Sequence, residues 1–270
     1  MIGFRYKANG LIDSHCHILP YVDDGAEDFG TATEMLAREY SQGVRTVVMT
    51  VHYRYEMFDT PIKKVYLQFD ELYGWLNDSY MNDMDIMLCR EYYCDDRLLA
   101  LLDGYGNNQN EIIYDEKKYS PKEEIIPYGK NKCILLEFSS GRMQELEFEL
   151  YVKKASNAGL TPIIAHVERY PAVQERPTIV CKMRDLGAYI QVNCDSILSR
   201  GNSKEKQVAV ELIKNRMVDI LASDSHDLKM RSPNFKKCYN FLERKYGKKT
   251  ANELLRDNVG ALIYGFENNC

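Results

Sequence analysis

An α/β chain, a parallel sheet or barrel with helices outside it, is the fold class this sequence predicts, and three observations predict it. Short apolar runs rich in Val, Ile and Leu alternate with longer stretches of helical periodicity. Glycines stand where helices would end, a few residues before the next apolar run. No composition break divides the 270 residues, a length that one large α/β domain accommodates.

Residues 1–10 read as a short leader ahead of one domain over 11–270. Seven runs have strand character: Leu11 to Asp13, Thr46 to Val51, Ile86 to Arg90, Cys133 to Glu137, Thr161 to Ala165, Tyr189 to Val192 and Val218 to Ser223. Between the first two, Ala32, Met35, Leu36 and Tyr40 fall on one helical stripe. A longer stripe follows, with Ile62, Val65, Tyr66, Phe69, Leu72, Tyr73 and Leu76. The Met and Tyr members of both stripes read as core packing rather than a cofactor box. Gly43, Gly159 and Gly187 sit where a left-handed residue would stop a helix. The exception is a polar segment over about 104–131, which reads as a surface excursion or small hairpin.

Composition excludes several function classes. A net charge of −5 and the lack of a Lys/Arg stripe argue against nucleic acid. Lys153-Lys154 and the run Glu243 to Lys249 read as solvated helix faces. No stretch is apolar enough to insert in a membrane, and a cytoplasmic location is expected. The eight cysteines form no C-x-x-C pair; Cys89, Cys133 and Cys194 lie in apolar runs, as reduced structural cysteines do.

All five histidines stand at strand ends. His15-Cys16-His17 follows the first strand; His52 closes the second, His166 the fifth, and Asp224-Ser225-His226 the seventh. Glu91 closes the third strand and Glu137 the fourth. A carboxylate ending an apolar strand is costly to bury unless it is paired or metal-bound. For Glu137 the alternative is a rim salt bridge, and for Asp24, in Asp23-Asp24-Gly25, a solvated turn. In a closed barrel all strand ends face one mouth. Five histidines and four carboxylates there exceed one tetrahedral site and suit three ions with one bridging carboxylate.

With Asp13-Ser14-His15-Cys16-His17, Val22-Asp23-Asp24-Gly25, Met57-Phe58-Asp59-Thr60-Pro61 after His52, and His166-Val167-Glu168-Arg169-Tyr170, the chain resembles the polymerase and histidinol phosphatase superfamily. Within it, the chain is similar to the bacterial manganese-dependent tyrosine-protein phosphatases of capsular and exopolysaccharide loci. The resemblance implies a single-domain, distorted (β/α)7 TIM-like barrel with three divalent ions, Mn²⁺ first and Fe, Mg or Zn as alternatives. By position, His15, His17, Glu91 and Asp224 would hold one ion; Glu91, Glu137 and His166 a second; Asp24, His52 and His226 the third. The implied partner is a phosphotyrosine-containing protein, a cognate bacterial tyrosine kinase, with homo-oligomerisation left open. Two departures stand out, the longer 104–131 excursion and the leader.

The implied chemistry is phosphomonoester hydrolysis by metal-activated water, with no cysteinyl-phosphate intermediate. Arg169 and Arg231 are the catalytic candidates, their guanidinium forks suiting phosphate oxygens; a surface salt bridge is the competing role. Cys-x5-Arg spacings at Cys194/Arg200 and Cys238/Arg244 suggest a thiol mechanism, but the first has no glycine to cradle an anion and the second lies in a helical pattern, Phe235 to Tyr246. The other functions weighed are a histidinol-phosphate phosphatase, an amidohydrolase and a non-catalytic scaffold. Against an amidohydrolase, no strand-terminal Lys is placed to form a bridging carbamate.

Overall fold

The computed structural model describes residues 10–139, 145–199 and 201–265, so that nearly all of the expected leader, and Arg200, lie outside the described residues. Among the described residues nine strands form: β1 (Leu11–Cys16), β2 (Val44–Tyr53), β3 (Asp85–Tyr93), β4 (Ile112–Tyr114), β5 (Lys117–Tyr119), β6 (Cys133–Glu137), β7 (Thr161–Ile164), β8 (Tyr189–Asn193) and β9 (Ile220–Ala222). Seven of them make one parallel sheet in the order β1-β2-β3-β6-β7-β8-β9.

The sheet curls until its edges meet. His17 N–H donates to the Ser225 carbonyl at 2.8 Å and Asp224 N–H to the His15 carbonyl at 2.8 Å, joining β1 to the segment after β9. The result is the expected distorted seven-stranded barrel, irregular also where β1 changes register against β2 between Asp13 and Cys16.

Side-chain alternation explains what fills it. Ile12, Val48, Met87, Cys89, Cys133, Leu135, Ile163 and Ile220 form the inner cluster. The helix Asn258–Tyr264 joins that cluster through Val259, Leu262, Ile263 and Tyr264, while Tyr264 Oη pairs with Thr46 Oγ1 at 2.9 Å. Because Thr46 lies near the start of β2, this helix plugs the amino end. Two or four residues beyond Val48, Cys89 and Leu135, the same strands carry His52, Glu91 and Glu137, and β8 carries Gln191 and Asn193. One face of each strand is thus apolar low in the barrel and polar at its carboxyl mouth. Outside, a larger apolar cluster packs the sheet against the helices, including Phe29–Ser41 and Ile62–Asp78.

Three sequence expectations change. β1 runs three residues further than its apolar start, because Cys16 pairs with Met49 of β2 and the His15 carbonyl accepts from Asp224 N–H. Tyr66 is 43% exposed, at the edge of the 62–78 stripe and outside the core formed by Val65, Leu72 and Leu76. The polar 104–131 segment begins inside the helix Asp96–Gly106 and does contain the hairpin β4-β5, but its second half turns inward. Ile125 and Tyr128 are buried there, so only the hairpin is a surface excursion. Gly43, Gly159 and Gly187 have φ of 91°, 77° and 93°, the left-handed stops expected.

Candidate metal centre

At the carboxyl mouth the nine singled-out ligands come together. The polar atoms of four overlapping groups lie within 4.8 Å of one another: His17, Asp24, His52 and His226; His15, Glu91 and His166; His15, His17 and Asp224; His52, Glu91 and Glu137. Glu91 is their hub. Its Oε2 lies 3.2 Å from His15 Nε2, 3.3 Å from His17 Nε2 and 3.1 Å from His52 Nδ1, and its Oε1 lies 2.9 Å from His166 Nε2. Asp24 stands at the rim, 3.5 Å from His52 Nε2 and 3.6 Å from His226 Nε2.

Two ligands sit on unusual backbone. His166 has φ 32° and Asp224 φ 51°, left-handed conformations that cost free energy for non-glycine residues and that concentrate at functional sites. Gly25 has a different reason for its identity: a Cβ there would come within 2.0 Å of the His17 carbonyl oxygen. Only glycine lets the Asp23-Asp24 turn fold back over His17.

Electrostatics sort the imidazoles. Burial opposes charge on His15 and His17, yet Glu91 and Asp224 raise the first and Asp23 raises the second well above its ordinary value. Burial and the neighbouring His17 lower His52, and push His226 down to about 2. Burial also works to raise the Asp23 carboxyl, but His17 and His52 bring it down to about 2. For Glu137, burial and the Glu91 carboxylate act together and push it up to about 7.

The residues fit divalent ions. Glu91 Oε2 is buried among three imidazole nitrogens, yet among the described residues it has no partner in hydrogen-bond geometry, and neither has His226 Nε2. Nitrogens of His15 and His17 face each other at 3.3 Å. Lone pairs converging on a common point are what a cation requires and what an imidazole packed for its own sake would avoid. Imidazole and carboxylate donors in overlapping sets suit Mn, Fe or Zn.

A second layer, which the sequence reading did not single out, fixes these ligands. His17 Nδ1 meets Asp23 Oδ2 at 2.8 Å, and the same oxygen accepts from His52 N–H at 3.0 Å. Gln191 Oε1 lies 3.0 Å from His15 Nδ1 and accepts from His166 N–H at 3.0 Å. Gln191 Nε2 then donates to Asn193 Oδ1 at 2.7 Å, and Asn193 Nδ2 to Asp224 Oδ2 at 2.7 Å. With Nδ1 of His15 and His17 engaged as donors, each Nε2 is left as the ligating lone pair. A signal for this layer was present: Gln191 and Asn193 are polar at alternate positions of an otherwise apolar strand. Gln191→Leu is expected to weaken Mn²⁺ affinity about 10–100-fold with the barrel still folded, as read by metal titration and circular dichroism. Unchanged affinity would refute the orienting role.

Arg169 and Arg231 flank the ligands. Arg169 Nη1 lies 2.9 Å from Asp224 Oδ2 and Arg231 Nη2 donates to Asp224 Oδ1 at 2.7 Å. Their side chains are 37% and 36% exposed, and both line a cavity of about 300 Å³ with His52, Glu91, Glu137, His166 and Asp224. No lysine is among the residues lining it, so the carbamate of an amidohydrolase has no precursor there among the described residues. The Cys-x5-Arg spacings do not supply a nucleophile site. Cys194 is buried, its thiol pushed well up by burial and by Cys238, and Cys238 lies in the helix Phe235–Tyr246.

A closed parallel barrel carrying clustered imidazoles, carboxylates and an arginine pair at its carboxyl mouth belongs to the class of barrel metal hydrolases. The chain is a member of the capsular polysaccharide synthesis CpsB/CapC family, whose pattern matches residues 11–264. It is 31% identical over 260 residues to the tyrosine-protein phosphatase CpsB of Streptococcus pneumoniae, covering 94% of this chain and 98% of that one. To the tyrosine-protein phosphatase YwqE of Bacillus subtilis (strain 168) it is 27% identical over 258 residues, 94% of this chain and 91% of that one. Its fold matches a solved chain from the pair YwqE and CpsB, described as unique metal-dependent tyrosine phosphatases, with a TM-score of 0.78 at 24% identity and 94% of each chain covered.

Proposed function

We propose that the protein hydrolyses phosphotyrosine on a protein partner, a cognate bacterial tyrosine kinase whose phosphorylation state controls capsule or exopolysaccharide synthesis. The observation that carries this reading is the Glu91 hub facing Arg169 and Arg231 across one small cavity: a dense cation site beside two guanidinium forks is built for a phosphoryl dianion. A likeness to relatives named tyrosine-protein phosphatases over 94% of the chain supports the substrate class. No helix among the described residues is long and apolar enough to cross a membrane.

By the resemblance, the nine ligands would hold three divalent ions, Mn²⁺ foremost, with His15, His17, Glu91 and Asp224 at one, Glu91, Glu137 and His166 at another, and Asp24, His52 and His226 at the third; the converging groups of ligand atoms overlap these sets without reproducing them. Such ions, when bound, provide a nucleophile from water at neutral pH and neutralise phosphoryl oxygens. Arg169 and Arg231, kept at the cavity by Asp224, orient the phosphoryl group through their N–H donors. Water adds at phosphorus, the aryl ester P–O bond breaks, and tyrosine and inorganic phosphate are the products. A phenolate leaves with little help, so no general acid is required of the chain. The buried Cys194 and Cys238 support a route without a cysteinyl-phosphate.

The test is turnover of a phosphotyrosyl peptide, histidinol phosphate and an amide substrate after chelation and add-back of Mn²⁺, Mg²⁺ or Zn²⁺. Phosphotyrosyl turnover should vanish with chelation, return with Mn²⁺ and survive Cys194→Ser. Activity that withstands chelation and dies in Cys194→Ser would overturn the metal mechanism.

A further inference from the structure

The mouth has a wall that neither the ligands nor the arginine pair account for. Arg54, Met57 and Phe58 line the same cavity, and all three come from one tight turn directly after β2. The turn closes on itself: Arg54 N–H donates to the Phe58 carbonyl at 3.0 Å, Phe58 N–H to the Arg54 carbonyl at 3.0 Å, and Glu56 takes φ 61° at its apex. Its flanks are tied down as well. Tyr55 N–H donates to Asp95 Oδ2 at 3.2 Å, Asp59 pairs with the buried Arg97 at 2.5 Å, and Thr60 Oγ1 donates to the Val22 carbonyl at 2.5 Å. A turn held at both ends keeps one shape.

What it presents is apolar. The Phe58 ring stacks on the His52 imidazole at 4.8 Å with planes 15° apart, so an aromatic surface begins one stacking distance from the metal-site ligands. Met57, 59% exposed beside it, extends that apolar surface at the rim of the cavity. Arg54, which also lines the cavity, holds its guanidinium carbon 4.0 Å from the centroid of the Tyr93 ring.

We propose that this turn is the element that selects an aryl phosphate: the tyrosyl ring lies against Phe58 and Met57 while its phosphoryl group sits among the nine ligands and the two arginines. The proposal rests on the phosphotyrosine reading and deepens it. In an aryl ester the ring starts at the ester oxygen, so a phosphoryl group on the cavity floor puts the ring level with this wall. A phosphoserine places only one methylene there and leaves the wall uncovered. Offset aromatic stacking and sulfur–aromatic contact then favour the ring. A volume of about 300 Å³, at the small end for ligand sites, suits one phosphotyrosyl side chain.

The experiment compares kcat/KM for phosphotyrosyl and phosphoseryl peptides of one sequence in the Mn²⁺-loaded protein and in Met57→Ala and Phe58→Leu, with Mn²⁺ content and the inhibition constant of inorganic phosphate measured alongside. The expected result is a fall in the tyrosyl-to-seryl ratio of about threefold for Met57→Ala and about tenfold for Phe58→Leu, on the scale of single aromatic contacts, with phosphate inhibition and Mn²⁺ content retained. A ratio unchanged in both variants overturns the proposal. If Phe58→Leu also loses Mn²⁺ or phosphate binding, it acts through His52, and Met57→Ala, which touches the rim only, decides: a wild-type ratio there overturns the platform. Absence of any phosphotyrosyl turnover in the loaded wild-type protein would instead sink the functional reading itself.

Discussion

Glu91→Gln is expected to leave a folded barrel with phosphotyrosyl turnover reduced by roughly a thousandfold or more, the largest loss of any single substitution in the chain. The reason is the geometry around its carboxylate. One oxygen meets His15, His17 and His52 at 3.1–3.3 Å and the other meets His166 at 2.9 Å, so a single side chain serves two of the ligand groups. Burial works against its ionisation, but His15 and His52 hold its carboxyl well below the ordinary range. The amide isostere removes that charge and turns an N–H donor toward nitrogens that must remain free lone pairs. Mn²⁺ content by plasma mass spectrometry should fall together with turnover, while thermal unfolding stays cooperative, because the apolar layer below the mouth is untouched. Near-normal metal content and rate would remove Glu91 from the centre of the site.

The fold was legible because its barrel strands are short apolar runs and its helix stops are glycines. All seven barrel strands lie where the apolar runs put them, with extensions such as His15-Cys16 in β1 that carry too much polarity to read as strand. Local pattern failed where tertiary burial decides: Ile125 and Tyr128 pack inward from a polar segment that looked superficial, and Tyr66 keeps its place on a helical stripe yet faces solvent. Eight of the nine proposed ligands were legible through their position at strand ends, which a barrel converts into proximity, whereas Asp24 stands in a turn and was marked by the resemblance alone. Their supports were not. Asp23 is indistinguishable in sequence from a turn carboxylate, and only the fold brings its oxygens to His17, the His52 amide and Gly25. Met57 and Phe58 stood out only as part of the motif after His52, since neither residue type nor spacing tells that the turn after β2 leans over the cavity. Sequence shows which groups are chemically able to act, whereas orientation comes from hydrogen bonds between elements far apart in the chain.

Arg169→Ala is expected to separate binding of phosphate from binding of metal. Asp224 loses the Arg169 Nη1 contact at 2.9 Å, but Arg231 at 2.7 Å and Asn193 at 2.7 Å still fix both of its oxygens, and His15 remains 3.4 Å away. The carboxylate therefore keeps its place, and Mn²⁺ content should match that of the unmodified protein. Burial works to raise the Asp224 carboxyl, but His15, Arg169 and Arg231 keep it far below the ordinary range. What is lost is a charged donor on the transferring phosphoryl group, worth about a hundred- to a thousandfold in kcat/KM on the scale of single donors to developing charge. The inhibition constant of inorganic phosphate should weaken in parallel, since the same fork would grip product and substrate. Arg169→Lys should recover only part of the loss, because an ammonium brings charge without the planar pair of N–H donors. If Mn²⁺ content falls in Arg169→Ala as far as turnover does, the guanidinium serves to hold Asp224, and Arg231 alone is left to receive the phosphoryl group.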